Sequence, residues 1–259
     1  MVKKFANRFY LALVFLFLYL PIFVLIFYSF NSSRLRGSFG GFSLIWYKNL
    51  LSDRAVMQAL YNTVLVALLS TVISTIMGTF AAIGIHYLRR RDKDIVLNLN
   101  YIPVINPDIV TAVALMALFK FFSLKFGLST MLISHIVFSV PYVILNILPK
   151  LQQLDRNLLD ASMDLGATPL YSIINVIIPQ IKPGIVTGAL MAFTLSIDDF
   201  IISYFNTGHG FNNLSILIYS MAKKGINPSI NALSTIMFAT MLLLVLIINR
   251  RNRGEMGNE

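Results

Sequence analysis

Three aspartates stand inside otherwise apolar sequence: Asp108 in VINPDIVTAVALM, and the neighbours Asp198 and Asp199 in SIDDFIISYF. Desolvating a carboxylate is costly, so acids kept at membrane depth point to holding a cation or relaying a proton. Successive helical residues point about 100° apart, so Asp198 and Asp199 cannot share one helix face. Asp199 falls on a four-residue stripe of small residues, Gly184, Gly188, Ala192 and Ser196; Asp198 lies well away from it. A plainer arrangement stays open for each acid. Asn106, Pro107 and Asp108 also read as the N-cap, first-turn proline and dipole-matched carboxylate of a helix start. The Asp198–Asp199 pair would sit in solvent if its apolar run ended early.

Nothing in the sequence offers bond-breaking chemistry. It holds no GxxxxGK[ST] phosphate loop, no HExxH, no GxSxG and no paired histidines. With no cysteine, disulfides, Cys-ligated zinc and thiol nucleophiles are excluded. His135 lies in an apolar run with no carboxylate or second histidine nearby in the sequence. It reads as a hydrogen-bonded packing residue, without a further role. The chain is expected to be non-catalytic and to hold no metal. Energy for active transport must then come from an ion gradient or a separate subunit.

The elements that must position these acids are membrane helices. Of 259 residues, 57% are hydrophobic and 12% charged, far from the balance of a soluble domain. One domain, 1–259, is expected to be consumed by six apolar runs: 9–30, 62–87, 96–122, 128–148, 185–205 and 231–248. The first run is too long for a cleaved signal and is taken as a retained span, kinked at Pro21. Asn98, Asn100, Pro103, Asn106 and Pro107 interrupt the third run and predict a broken helix, the form membrane backbone takes beside a cavity. Ser70, Ser74, Gly78 and Ala82 make a second small stripe, suited to close helix approach. Pro141 and Asn146 mark the fourth run as not necessarily straight. After the flexible Gly37, Gly40 and Gly41, Trp46 reads either as an interfacial anchor or as a lining of a substrate route, with 43–51 forming a short surface helix. A polar reach containing His209 covers 207–229.

The formal charge of +10 would suggest nucleic acid in a soluble protein. Here the basic residues end the apolar runs, which disfavours nucleic acid and instead sets orientation. Lys3, Lys4, Arg8, the cluster Arg89, Arg90, Arg91 and Lys93, and Arg250, Arg251 and Arg253 place the larger share of Lys and Arg on the side of the termini. Both termini and the central loop are therefore expected to be cytoplasmic; Arg34, Arg36, Lys48 and Arg54 in the first outer loop narrow the margin.

That central loop, 152–184, is too broken to span a membrane. Asp155 caps a segment that places Leu158, Ala161, Ser162 and Leu165 at helical spacing before Gly166 stops it. Thr168 and Pro169 restart a second short helix, with Leu170, Ile173, Ile174 and Ile177 on one face, ending at Pro179. An apolar helix pair outside the bilayer is a docking element.

Asp160, Ala161, Ser162, Gly166, Val176, Ile178 and Pro179, with Ala167 inside the same turn, resemble the EAA loop of ABC importer permeases. There a Glu-Ala-Ala triplet precedes a glycine and, further on, Ile-x-Leu-Pro. The departures here are Asp for Glu, Ser for the second Ala, Val for Ile and Ile for Leu. VINPDIVTAVALM, SIDDFIISYF and IYSMAKKGINPSINALSTI extend the resemblance over almost the whole chain, to spermidine/putrescine importer permeases of the PotC type. The resemblance implies an all-α, six-helix type I ABC importer permease fold in a bacterial cell membrane. It also implies coupling helices that fit a cleft on an ATP-binding subunit, a second permease subunit in a heterodimer, two ATP-binding subunits carrying ATP and Mg, and an extracytoplasmic polyamine-binding protein. The residues fit such a cargo: ammonium groups leaving water need carboxylates or aromatic faces, and Trp46, Asp108, Ser196, Asp198 and Asp199 supply carboxylate, hydroxyl and aromatic groups. An ABC importer of iron(III), thiamine or a sugar shares the loop, and an ion-coupled carrier would use Asp198 and Asp199 as a proton or sodium site. A membrane scaffold would not need the acids.

Overall fold

The computed structural model describes residues 2–33, 38–155, 157–208, 210–224 and 228–256, with side chains from 8 to 246 except 244. Arg34, Arg36, Gly37 and His209 lie outside the described residues, as do the side chains of Lys3, Lys4, Arg250, Arg251 and Arg253. Twelve α-helices are described: α1 (Val2–Ser29), α2 (Ile45–Ser52), α3 (Arg54–Tyr87), α4 (Arg90–Ile105), α5 (Asp108–Phe121), α6 (Leu128–Gln152), α7 (Leu158–Asp164), α8 (Pro169–Ser172), α9 (Ile178–Asp198), α10 (Ile201–Asn206), α11 (Leu214–Lys224) and α12 (Pro228–Met256). A π-helical turn, Ile173–Ile177, joins α8 to α9.

Among the described residues, four continuous helices are long and apolar enough to cross a membrane: Arg8–Ser29, Arg54–Tyr87, Leu128–Gln152 and Pro169–Asp198. α4 and α5 are long and apolar enough only when taken together, and the pair is bent by 104°. This is the expected broken third run, and the break falls at Asn106 and Pro107, both extended. Pro107 has no N–H to continue α4, while its carbonyl accepts from Val110 N at 2.9 Å and starts α5. In α12 the apolar portion is Pro228–Leu243, shorter than the others.

Two compact units divide the chain: Met1–Gln58 with Leu217–Glu259, and Ala59–Ile216. In the first, α12 packs against α1 and α2. Asn31 organises the following loop: its Oδ1 accepts from Gly40 N at 2.8 Å and Ser33 N at 3.1 Å, and its Nδ2 donates to Ser38 O.

The second unit is built on α6 and α9, its most extensive helix pair. They run antiparallel along the small stripe, with Gly184, Gly188, Ala192 and Ser196 all buried. A Cβ on Gly188 would lie 3.2 Å from Val143 Cγ1 and 3.3 Å from the Val143 backbone, and one on Gly184 would meet the Asn146 carbonyl oxygen at 3.2 Å. The stripe of α3 faces the same valine: a Cβ on Gly78 would sit 2.6 Å from Val143 Cγ1. Lipid is as apolar as the side chains that would leave it, so this close approach, rather than apolar burial, holds the bundle. Ala82, Ile83, Ile85, Val143, Ile144, Ile147, Leu151, Ile177 and Ile181 continue the packing as one buried cluster.

Three segments differ from the sequence reading. The second short helix does not end at Pro179; α8, the π turn and α9 form one continuous Pro169–Asp198 rod. Proline is tolerated in the first turn of α9, and the wider π register takes up the ladder disturbed by the missing Pro179 N–H. The fifth run does not reach residue 205, because it breaks at Asp199 and Phe200 before α10. The stretch 207–229 is not all polar loop, since α11 lies within it.

Candidate functional site

The break after α9 is made by Asp199. Its Oδ1 accepts from Ile202 N at 3.1 Å and its Oδ2 from Ser203 N at 2.7 Å. A carboxylate taking free N–H groups in the first turn of α10 caps a new helix, and by turning the chain it ends the old one. Asp199 is extended at φ −61°, ψ 127°.

His135 stands beside this cap. Its Nε2 lies 3.5 Å from Asp199 Oδ2, 2.9 Å from Ser203 Oγ, and its Nδ1 lies 2.7 Å from Ser196 Oγ. Ser70 Oγ donates to Ser196 Oγ at 3.1 Å, and Asn213 Nδ2 donates to Ser203 Oγ at 2.9 Å. Asp199 favours the proton on Nε2, leaving Nδ1 to accept from Ser196. The result is a buried polar chain crossing α3, α9, α6 and α10 inside an apolar bundle, with the Asp199 side chain only 7% exposed. His135 is buried and hydrogen-bonded, as its reading as a packing residue expects, and it also has a carboxylate neighbour, which comes from the break between α9 and α10, distant in sequence.

Of the residues singled out in the sequence, the structure joins Ser196 and Asp199 through His135. Asp198 and Asp108 are exposed on this chain. Asp108 occupies the first turn of α5, where the helix dipole favours a negative charge. Asp198 is the last residue of α9, where the dipole and free carbonyls disfavour one. Helix stability thus accounts for Asp108 and not for Asp198. Trp46 belongs to the first unit, is buried at 4% exposure, and donates from Nε1 to the Asn31 carbonyl at 2.6 Å.

The loop before α9 carries a second surface. Asp155 Oδ1 accepts from Asn157 N at 2.9 Å, and Asn157 stands at the start of α7. Gly166 turns the chain at φ +89°, where a side chain would be strained. Thr168 Oγ1 accepts from Tyr171 N at 3.4 Å, with Pro169 opening α8 as expected. Leu158 and Ile173 pack toward the buried cluster. Asp160 and Ala161 are exposed, and Ser162 is half-buried with its Oγ donating to the Leu159 carbonyl. Ala167 is half-buried and Pro179 exposed. Leu165 is 91% exposed, and Leu170, Tyr171 and Ile174 are exposed with it. This apolar surface is uncovered by the chain itself.

Residues 74–253 match the family described as binding-protein-dependent transport system inner membrane component. The chain belongs to this family. It is a multi-pass membrane permease. The spermidine/putrescine transport system permease protein PotC of Haemophilus influenzae is 36% identical over 97% of this chain and 99% of its own length. The putrescine transport system permease protein PotI of Escherichia coli is 37% identical over 89% of this permease and 85% of its own length. A solved bacterial ABC transporter that imports the acidic polysaccharide alginate shares the fold, with a TM-score of 0.73 at 16% identity over 97% of this chain and 95% of that one. The sequence reading gave His135 no role beyond packing and did not single out Ser203 or Asn213, which the structure joins to Ser196 and Asp199. The available signal was polarity itself, since an ionisable group inside an apolar run is a functional candidate by default.

Proposed function

We propose that this permease is one transmembrane subunit of an ATP-driven ABC importer for polyamines, spermidine or putrescine. It forms half of the translocation path beside a second permease subunit and has no catalytic activity of its own. The similarity to spermidine/putrescine permeases along almost the full length of both chains carries this reading. ATP and magnesium belong to two partner subunits, and an extracytoplasmic binding protein delivers the cargo. Both termini and the 152–184 loop face the cytoplasm, in keeping with the Lys and Arg at those ends. The bare Leu165, Leu170, Tyr171 and Ile174 surface supports docking on an ATP-binding subunit, because burying it there removes apolar area from water.

Cargo recognition falls to Asp108 and Asp198. A cation beside Asp198 offsets the unfavourable charge at the end of α9, and a weak hold permits release on the far side. Closure of the ATP-binding subunits moves the Pro169–Asp198 rod, which runs without interruption from the docking turn to Asp198. Asp108→Asn and Asp198→Asn are each expected to lower spermidine uptake at least about tenfold, the cost of losing about 1.4 kcal/mol of charge-assisted contact, while the complex still assembles. Normal uptake kinetics in both variants would overturn the assignment.

A further inference from the structure

We infer that His135 is a positioning residue for transport: through Nε2 it holds the Asp199–Ser203 cap that sets the α9–α10 break, and so fixes where Asp198 presents its carboxylate. The inference rests on the reading that Asp198 meets the cargo, and it divides the neighbouring acids by task.

The geometry carries it. Both Asp199 oxygens are committed to the backbone of α10, and Oδ2 is also 3.5 Å from His135 Nε2. Ser203, the second α10 residue in this cap, receives Asn213 Nδ2 and faces His135 Nε2 at 2.9 Å. Asn213 Nδ2 reaches back to the Asp199 carbonyl at 3.4 Å, and its Oδ1 accepts from Ile216 N at 2.9 Å, so the start of α11 is tied to the same cap. On its other side His135 meets Ser196 on α9, which Ser70 of α3 supports. The imidazole therefore bridges the last turn of α9 to the first turn of α10 across the break, with Asp198 exposed between them. Fewer bonds would serve if the histidine only filled space. Breaking one leaves a buried donor or acceptor unpaired, which frees the cap to move.

The two ring nitrogens separate this role from packing. A Gln side chain places its amide near the Nε2 position, whereas the shorter Asn reaches only the Nδ1 position beside Ser196. Since the natural chain has no cysteine, Asp198→Cys gives a single thiol whose reaction with a small maleimide reports its presentation. The reaction is followed by the mass of this chain in the assembled complex in proteoliposomes. In that background His135→Ala and His135→Asn are expected to speed labelling at least about fivefold, and His135→Gln to stay within about twofold. Spermidine uptake by the same three variants with Asp198 intact should fall in the same order. Equal labelling in all three, or retention by Asn and not Gln, overturns the inference. If His135→Ala does not assemble, the Gln and Asn comparison decides; if none assembles, His135 is a folding residue and the inference fails. Failure of the cargo reading would instead be seen as unchanged uptake in Asp198→Asn, which leaves the labelling order untouched.

Discussion

Replacing Gly78 with alanine inserts one methyl group where α3 meets α6. The new Cβ would lie 2.6 Å from Val143 Cγ1 and 2.8 Å from Val143 Cβ, closer than carbon atoms approach without displacement. Val143 cannot turn aside easily, because it is fully buried and β-branched, and α9 also comes close to it at Gly188, where even a Cβ would lie only 3.2 Å from the same Cγ1. Relief requires α3 and α6 to separate, an overpacking cost of about 1–3 kcal/mol. Gly84 is the internal control: it lies on the same helix, and a Cβ there meets nothing within 4 Å. Both substitutions gain the same helix propensity of about 0.5–1 kcal/mol, so the difference between them isolates the strain. At about 2–4 °C per kcal/mol for a chain of this length, Gly78→Ala should melt about 2–12 °C below Gly84→Ala. The assay is the thermal midpoint of the detergent-purified complex for the two variants side by side. Equal midpoints, or a more stable Gly78→Ala, would refute the claim that close contact at Val143 holds the bundle.

Gly166→Ala forces a side chain to φ +89° at a cost on the order of 1–2 kcal/mol; substrate transported per ATP in proteoliposomes should fall while the complex remains assembled, and an unchanged ratio would count against a coupling role for this turn. Leu165→Ser removes an apolar group that is 91% exposed on this chain. Binding of the ATP-binding subunit should weaken by about tenfold to a hundredfold, for a side chain worth about 1.5–3 kcal/mol when fully buried, without a change in helix content by circular dichroism; unchanged affinity would place the docking surface elsewhere.

Much of the site's frame was legible in the sequence because it is written in local periodicity. The two small stripes, the break at Asn106 and Pro107, and the Gly166–Thr168–Pro169 turn each depend on residues within a few positions of one another. The continuation of Pro169–Asp198 through Pro179 was not legible, since proline signals a stop unless a π turn absorbs it. The role of Asp199 was half legible: its place on the stripe turned it inward, but its capping bonds require the bend that they themselves create. His135 was illegible for a different reason. Its partners Ser196, Asp199 and Ser203 come from a helix pair beyond the intervening 152–184 loop, and no spacing rule connects them.

Whether this permease imports polyamine with energy from a partner ATPase is tested most directly by spermidine uptake into proteoliposomes holding the copurified complex, with the extracytoplasmic binding protein outside and ATP and magnesium enclosed. Uptake that requires both the binding protein and ATP, accompanied by spermidine-stimulated ATP hydrolysis, is the predicted result. Uptake driven by an imposed proton or sodium gradient without ATP, or ATP-dependent uptake of another solute to which excess spermidine is indifferent, would contradict it.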